Sequence, residues 1–141
     1  MDQMTDAERE TFLRERRYGI LTTNGADGVP MPVPVWFEWD GERARLFTAR
    51  GAAKLRRVQT DPRVALLAPN NPDERERWVL IKGEAAVLPS GGWALAQRLA
   101  ARYWDLTDPG HAATLRSWEA MADDWVVLEI TPSSILSSAG D

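Results

Sequence analysis

Pro30-Met31-Pro32-Val33-Pro34-Val35-Trp36-Phe37-Glu38-Trp39 reads as one extended strand with an unusual margin. In a strand, residues of one parity send their N–H and C=O groups to the same lateral side. Prolines at 30, 32 and 34 therefore remove three successive donors from one edge and none from the other. That edge cannot enter an ordinary ladder, and the N–H reappears on it only at Trp36. Side-chain parity also divides the segment: Met31, Val33, Val35, Phe37 and Trp39 share a face suited to a core, while Trp36 and Glu38 face the other way. Two readings stay open. The prolines protect an edge strand from pairing with another chain, or the freed margin lies against a planar, hydrogen-bonding ligand, with the backbone around Val35 and Trp36 making the contacts.

The flanking sequence supplies more strands. Tyr18 to Thr23 reads as a strand, Asn24 to Gly28 as a turn, and Asp40-Gly41 as a hairpin turn into a strand from Glu42 to Thr48, so that the region forms an antiparallel meander. Val64 to Ala68, Trp78 to Leu88 and Trp125 to Thr131 are further strands, and Gly83 marks a bulge or a close backbone approach. Helices are interleaved. Thr5-Asp6-Ala7-Glu8 is a capping box opening a bracing helix to about Arg16. Ala96, Leu99, Ala100 and Tyr103 recur at helical spacing, and Asp108-Pro109 opens a helix carrying Leu115, Trp118 and Ala122. The expected architecture is one mainly β domain over residues 1–141 with α insertions, a small six-stranded barrel. It comprises an N-terminal helix (1–17), barrel strands (18–88) with a short basic helix (51–58), a helical insertion (90–122) and a C-terminal strand (124–137).

Charge is unevenly placed. The net charge is -4, yet seven of the seventeen Lys and Arg residues fall between Arg43 and Arg63, where only Asp61 opposes them. Ala44 to Thr48 reads as a strand, Gly51 as the turn and Ala52 to Val58 as a short helix, whose unpaired N–H groups and dipole favour an anion beside Thr48, Arg50 and Lys54. The other reading of the same run is a solvated helix face. The absence of cysteine excludes disulfides, thiolate metal sites and a Cys nucleophile, and the single histidine, His111, argues against a His-based metal centre or triad. No apolar run reaches the roughly 18 residues that span a bilayer, and the acidic N-terminus is unlike a signal peptide, so a soluble cytoplasmic protein with no membrane partner is expected. The overall acidity argues against nucleic acid as a partner. Asn70 to Arg77 reads as a polar loop of mostly solvated charge.

Five segments, in order, carry a resemblance: Gly19-Ile20-Leu21-Thr22-Thr23, Asp27-Gly28-Val29-Pro30, Pro34-Val35-Trp36-Phe37, Leu46-Phe47-Thr48-Ala49-Arg50-Gly51-Ala52-Ala53-Lys54 and Asp61-Pro62-Arg63-Val64-Ala65-Leu66. Together they resemble the FMN-binding split β-barrel proteins related to pyridoxamine 5'-phosphate oxidase, and more narrowly their flavin- and deazaflavin-dependent branch. Val79 to Ala85 and Leu99 to Tyr103 extend the similarity. The resemblance implies a six-stranded antiparallel split β-barrel and a homodimer with the cofactor at the subunit interface. It also implies an oxidoreductase acting on a small-molecule substrate. Thr48, Arg50, Lys54 and Arg56 would hold the cofactor's phosphate, Pro34, Val35 and Trp36 would lie along its tricyclic ring, and Trp78 would cover the ring or sit at the dimer seam. The charged loop at 70–77 departs from the family pattern and leaves the substrate side of the pocket open.

Coenzyme F420, a deazaflavin with a phosphodiester and a string of glutamates, needs a longer positive track than FMN, and Arg50, Lys54, Arg56 and Arg57 would supply one. The expectation is therefore F420-dependent hydride transfer to a conjugated small molecule. The alternatives are an FMN-dependent oxidase or reductase of pyridoxamine 5'-phosphate oxidase type, or a non-catalytic barrel that stores a flavin, a deazaflavin or another planar molecule or has lost its ligand. Hydride transfer needs binding and placement rather than a catalytic side chain. Glu38 or Tyr18 is available as a proton donor, but neither is assigned. His111 is expected at the surface or in a cap, and Trp93, Trp104, Trp118 and Trp125 in the core or at a dimer interface.

Overall fold

A computed structural model describes residues 3–140; residues 1, 2 and 141 of the expected domain lie outside them. In chain order the elements are α1 (Asp6–Arg14), β1 (Gly19–Asn24), β2 (Pro30–Val35), β3 (Glu38–Trp39), β4 (Ala44–Ala49), α2 (Ala53–Thr60), β5 (Arg63–Pro69), β6 (Arg77–Leu88), α3 (Gly92–Tyr103), α4 (Pro109–Glu119) and β7 (Trp125–Ala139). The seven strands form one antiparallel sheet in the order β2-β1-β5-β6-β7-β4-β3.

The strand expected from Pro30 to Trp39 is thus two strands, and they lie on opposite edges of the sheet. β2 pairs with β1, β3 pairs with β4, and only Trp36 and Phe37 separate them. A chain of two residues cannot bridge a flat seven-stranded sheet, whose strands lie about 4.8 Å apart. The sheet must therefore curl until its edges meet. The result is a barrel split at one seam, with seven strands where six were expected because the seam strand serves both edges. This also corrects the meander: its two hairpins are present, but the sheet separates them.

Inside the curl, Leu21, Val35, Phe37, Trp39, Leu46, Leu66, Ile81, Leu128 and Ile130 pack into one core. Val35, Phe37 and Trp39 take the inward positions that parity predicts, whereas Met31 is 41% exposed at the far end of β2. β2 is an edge strand, as its prolines require. Pro34, Pro32 and Pro30 stand opposite Ile20, Thr22 and Asn24, leaving the alternate positions to bond β1. The expected bulge is present as a register shift between Lys82 and Gly83. A Cβ on Gly83 would collide with the Thr131 carbonyl, so close strand approach requires glycine there.

The Thr5 hydroxyl accepts from Glu8 N at 3.1 Å and opens α1, which buries Phe12 and Leu13 against the barrel. Just past α1, Arg17 is almost fully buried. Its guanidinium donates to Phe12 O, to Pro69 O and to both oxygens of Glu74, the shortest at 2.6 Å. Glu74 also accepts from Asn71 N and from Arg77. The 70–77 loop is therefore not merely solvated charge, since its central carboxylate neutralises a buried cation. Charge spacing in sequence did not reveal this, because the partner lies 57 residues away.

The bonds from Arg17, and secondarily from Asn71, hold the Glu74 carboxyl at about 2 rather than its ordinary 4.5. A depressed folded pKa adds stability that is present above the unfolded value and is lost as pH falls from 4.5 toward 2. Replacing Glu74 with Ala leaves buried Arg17 with only Glu15, at 3.6 Å, as an ion-pair partner, and breaking a buried pair typically costs about 3 kcal/mol. Urea denaturation at neutral pH should show that loss, and the variant's stability should decline less than the wild type's between pH 4.5 and 2.

Candidate functional site

The seam strand positions the site. The edge of β2 at Pro34 and Val35 opens on a groove of about 350 Å³ whose other walls are Tyr18, Trp36, Phe47, Lys54, Trp104 and Trp118. The two segments singled out by sequence, the proline-stripped margin and the start of the basic helix, thus meet in one cavity. Lys54 sits in the first turn of α2 and is half-buried. Among the described residues, no hydrogen bond or ion pair is made by its ammonium. Burial, followed by the repulsion of nearby Arg57, holds its pKa below the ordinary value. A desolvated, unpaired ammonium lowers its free energy by meeting an anion.

Arg57, whose charge acts on Lys54, lines a second and larger cavity. It donates from Nε to the Thr23 hydroxyl at 2.6 Å. With Arg56 and Arg63 it lines a cavity of about 900 Å³ between α2 and the β1–β2 turn, where Met31 of β2 also lies. One β strand edge therefore borders both cavities, Pro34 on the aromatic one and Met31 on the polar one. Asp61 partly offsets the charge there. Its bidentate bond with Arg63, at 2.8 and 2.9 Å, and a bond from Asn24 hold its carboxyl far below the usual range.

The remaining expected residues are dispersed. Arg50 turns to the other side, where Nε donates to Asp123 O at 2.9 Å and Nη2 to Pro89 O. Arg56 donates to Gly51 O at 2.7 Å while bordering the polar cavity. Thr48 shares the buried, inward parity of Ala44 and Leu46. Trp78, opposite Pro69 and Ser138, borders neither cavity. Of the eight residues expected to touch a cofactor, Pro34, Val35, Trp36 and Lys54 share the aromatic groove, and Arg56 lies in the adjoining one. Glu38 is tied to Arg98 by two bonds of 3.0 and 3.1 Å and lines neither cavity.

The seam itself is held from α3. The Tyr103 hydroxyl accepts from Phe37 N at 3.3 Å and donates to Arg17 O at 2.6 Å. It thereby satisfies backbone groups that leave one ladder before joining the next. Trp36 stacks on the same ring, with centroids 5.1 Å apart and planes 5° apart. Trp104 meets Trp36 edge-on at 4.8 Å, and Trp118 contacts Trp36, Phe47, Trp104 and Trp125. These rings line the groove or lie behind it, half-buried, so Trp104, Trp118 and Trp125 are not in the barrel core where sequence alone had room for them. Trp93 borders a separate cavity beside Arg50. His111 stacks on Trp104 at 4.7 Å, and the cap expected nearby is formed by Asp108, which accepts from Gly110 N. Helical spacing marked Leu115 and Trp118 as one face of α4, but could not reveal that this face meets Trp36, far away in sequence.

A curled antiparallel sheet, split at a seam whose donor-poor margin opens on a groove headed by a lone ammonium, defines a split β-barrel class of ligand-binding protein. The chain belongs to the pyridoxamine 5'-phosphate oxidase family, whose model matches residues 5–138. It is 43% identical over 89 residues to a 5a,11a-dehydrotetracycline/5a,11a-dehydrooxytetracycline reductase of Streptomyces rimosus, a match covering 58% of this chain and 63% of that relative. Among solved structures, it resembles an F420 reductase at 29% identity with a TM-score of 0.74, covering 89% of this chain and 94% of the other. It also resembles a conserved hypothetical protein of Mycobacterium tuberculosis at 25% identity and a TM-score of 0.72, covering 98% and 93%.

Because Trp36 stacks on Tyr103 at the seam, it supports the fold as well as lining the groove. Trp36→Ala is expected to lower stability by about 2 kcal/mol, below the roughly 3–5 kcal/mol of a fully buried aromatic truncation because the site is half-buried. Chemical denaturation measures this, and an unchanged midpoint would assign the ring to ligand contact alone.

Proposed function

We propose that this protein is an oxidoreductase that uses the deazaflavin coenzyme F420 to exchange hydride with a conjugated small molecule. The observation that carries the reading is the opening of the Pro34–Val35 margin and the unpaired Lys54 on one groove, with Arg57 of the polar cavity close enough to act on Lys54. The names of the relatives support it: one is a reductase of dehydrotetracyclines, the other an F420 reductase.

The residues present fit the coenzyme. The donor-free edge of β2 leaves room beside Pro34 and Val35 for a flat ring, and Lys54 offers an uncompensated charge to its phosphodiester, with Arg57 adjacent. Arg56 and Arg57 border the larger cavity, in which Asp61 pairs with Arg63, and an acidic tail would occupy this space where FMN, ending in a single phosphate, would leave it unfilled. When bound, F420 supplies a two-electron hydride donor or acceptor. The protein's part is to orient, to exclude water and to leave one ring face open to the substrate. The aromatic walls lower the local dielectric, which strengthens the pull of Lys54 on an anion.

A homodimer belongs to the same proposal. On the outer face of the sheet, Pro34, Ile20, Leu67, Leu80 and Leu136 lie in register across five strands. Leu136 is 41% exposed. This apolar row begins at the groove, so a second copy seated on it would complete the cavity's open side.

Titrating the purified chain with F420, with its ring-and-ribityl fragment lacking the phosphodiester and glutamates, and with FMN tests the assignment. The full coenzyme is expected to bind most tightly, read from deazaflavin fluorescence. Lys54→Ala should weaken it by about 2 kcal/mol, roughly thirtyfold, as expected for the loss of a charged hydrogen bond in a partly buried site. Arg50→Ala should change it little. A yellow preparation retaining FMN would move the assignment to the flavin, and equal affinity of wild type and Lys54→Ala would remove Lys54 from the phosphate.

A further inference from the structure

We propose that Trp118, framed by Phe47 and Trp104, is the stacking platform for the acceptor, and that it selects flat molecules of several fused, conjugated rings. The inference names the substrate class for the site proposed above and rests on that reading.

The geometry of the rings carries it. Seven of the chain's twelve aromatic side chains gather at this groove rather than in the barrel. Within the cluster, Trp36 has one face covered by Tyr103, and Trp104 has one face covered by His111, at interplanar angles of 5° and 6°. Trp118 differs. Its planes meet those of Trp36, Phe47, Trp104 and Trp125 at 55°, 58°, 36° and 58°, so none of these neighbours is stacked on it. Trp118 lines the groove with no stacked partner among the described residues, and a planar conjugated molecule is the ligand that would gain most from stacking on it.

The helix that bears Trp118 suits this task. No side chain of α4 is fully buried, so the helix is not keyed into the core. It is fastened near its end by the Trp125 indole N–H, which donates to Trp118 O at 2.9 Å. That bond ties the backbone of Trp118 to the start of β7. A groove of about 350 Å³ lies at the small end for a ligand site, and it is sized for one flat molecule. A second, stacked molecule therefore requires the proposed partner copy to extend the walls. Trp118 and the Pro34–Val35 margin line the same groove, so the acceptor would lie beside the coenzyme ring.

Indole N–H resonances of the full chain, labelled with nitrogen-15, provide the test, because Trp78 and Trp93 lie outside the groove and serve as internal controls. The probe is 1,8-dihydroxyanthraquinone, a neutral three-ring conjugated molecule, added with and without saturating F420. Trp36, Trp104 and Trp118 are expected to shift while Trp78 and Trp93 stay in place, and the probe should bind alongside the coenzyme. Trp118→Leu should raise the probe's dissociation constant at least tenfold, and Trp118→Phe by less than threefold. The Trp39 indole, bonded to Glu10 at 2.7 Å, reports that each variant is folded. Shifts confined to the control residues, unchanged affinity in Trp118→Leu, or displacement of bound coenzyme by the probe would each overturn the proposal. If F420 does not bind but the three groove indoles still respond and Trp118→Leu loses the response, the coenzyme assignment fails and the stacking platform stands.

Discussion

A single stretch of backbone, Trp36-Phe37, must leave one edge of a sheet and join the other, and the rest of the molecule is arranged around that step. Two residues reach only a few ångströms, so the sheet has to close on itself. Closing it brings Val35, Phe37 and Trp39 into the core from both edges and exposes the peptide groups between them. Tyr103 compensates, taking Phe37 N–H and giving its own proton to Arg17 O. Arg17 in turn binds the 70–77 loop through Glu74. The seam, the first helix, the third helix and the loop are therefore coupled through three side chains.

The same closure creates the groove. β2 cannot recruit a further strand along the margin its prolines have stripped, so space remains where a ladder would otherwise continue. α2 packs Leu55 and Val58 inward and carries Lys54 to that space. Most cations of the basic run are committed elsewhere: Arg45 to Glu129 and Asp40, Arg50 to backbone carbonyls, Arg57 to Thr23 and Arg63 to Asp61. Local charge density in the sequence thus overstates the charge available to a ligand. What distinguishes Lys54 is its environment, half-buried among rings beside another cation, where an ammonium is least well solvated.

The helical insertion contributes chemistry as well as cover. Its tryptophans extend the wall begun by Trp36 and Phe47, giving the groove a polarisable lining on one side and backbone on the other. This aromatic groove and the polar cavity lined by Arg57 are the two spaces that the proposed coenzyme would use. The apolar row from Pro34 to Leu136 starts beside the same groove, so ligand and partner would share a boundary.

Elements with strong local signals were legible from sequence: the Thr5 and Asp108 caps, the Asp40-Gly41 turn, the Gly83 bulge and the inward parity of Val35, Phe37 and Trp39. Each depends on neighbours within a few residues, or on glycine and proline backbone rules that hold in any fold. The proline margin and the Lys54 helix start were likewise visible as separate features. Their meeting in one groove, the break at Trp36, the burial of Arg17 against Glu74 and the diversion of Arg50 were decided by tertiary structure. These depend on pairings across tens of residues, and a sequence carries no local trace of which distant carboxylate, carbonyl or ring a side chain will meet once the sheet has curled.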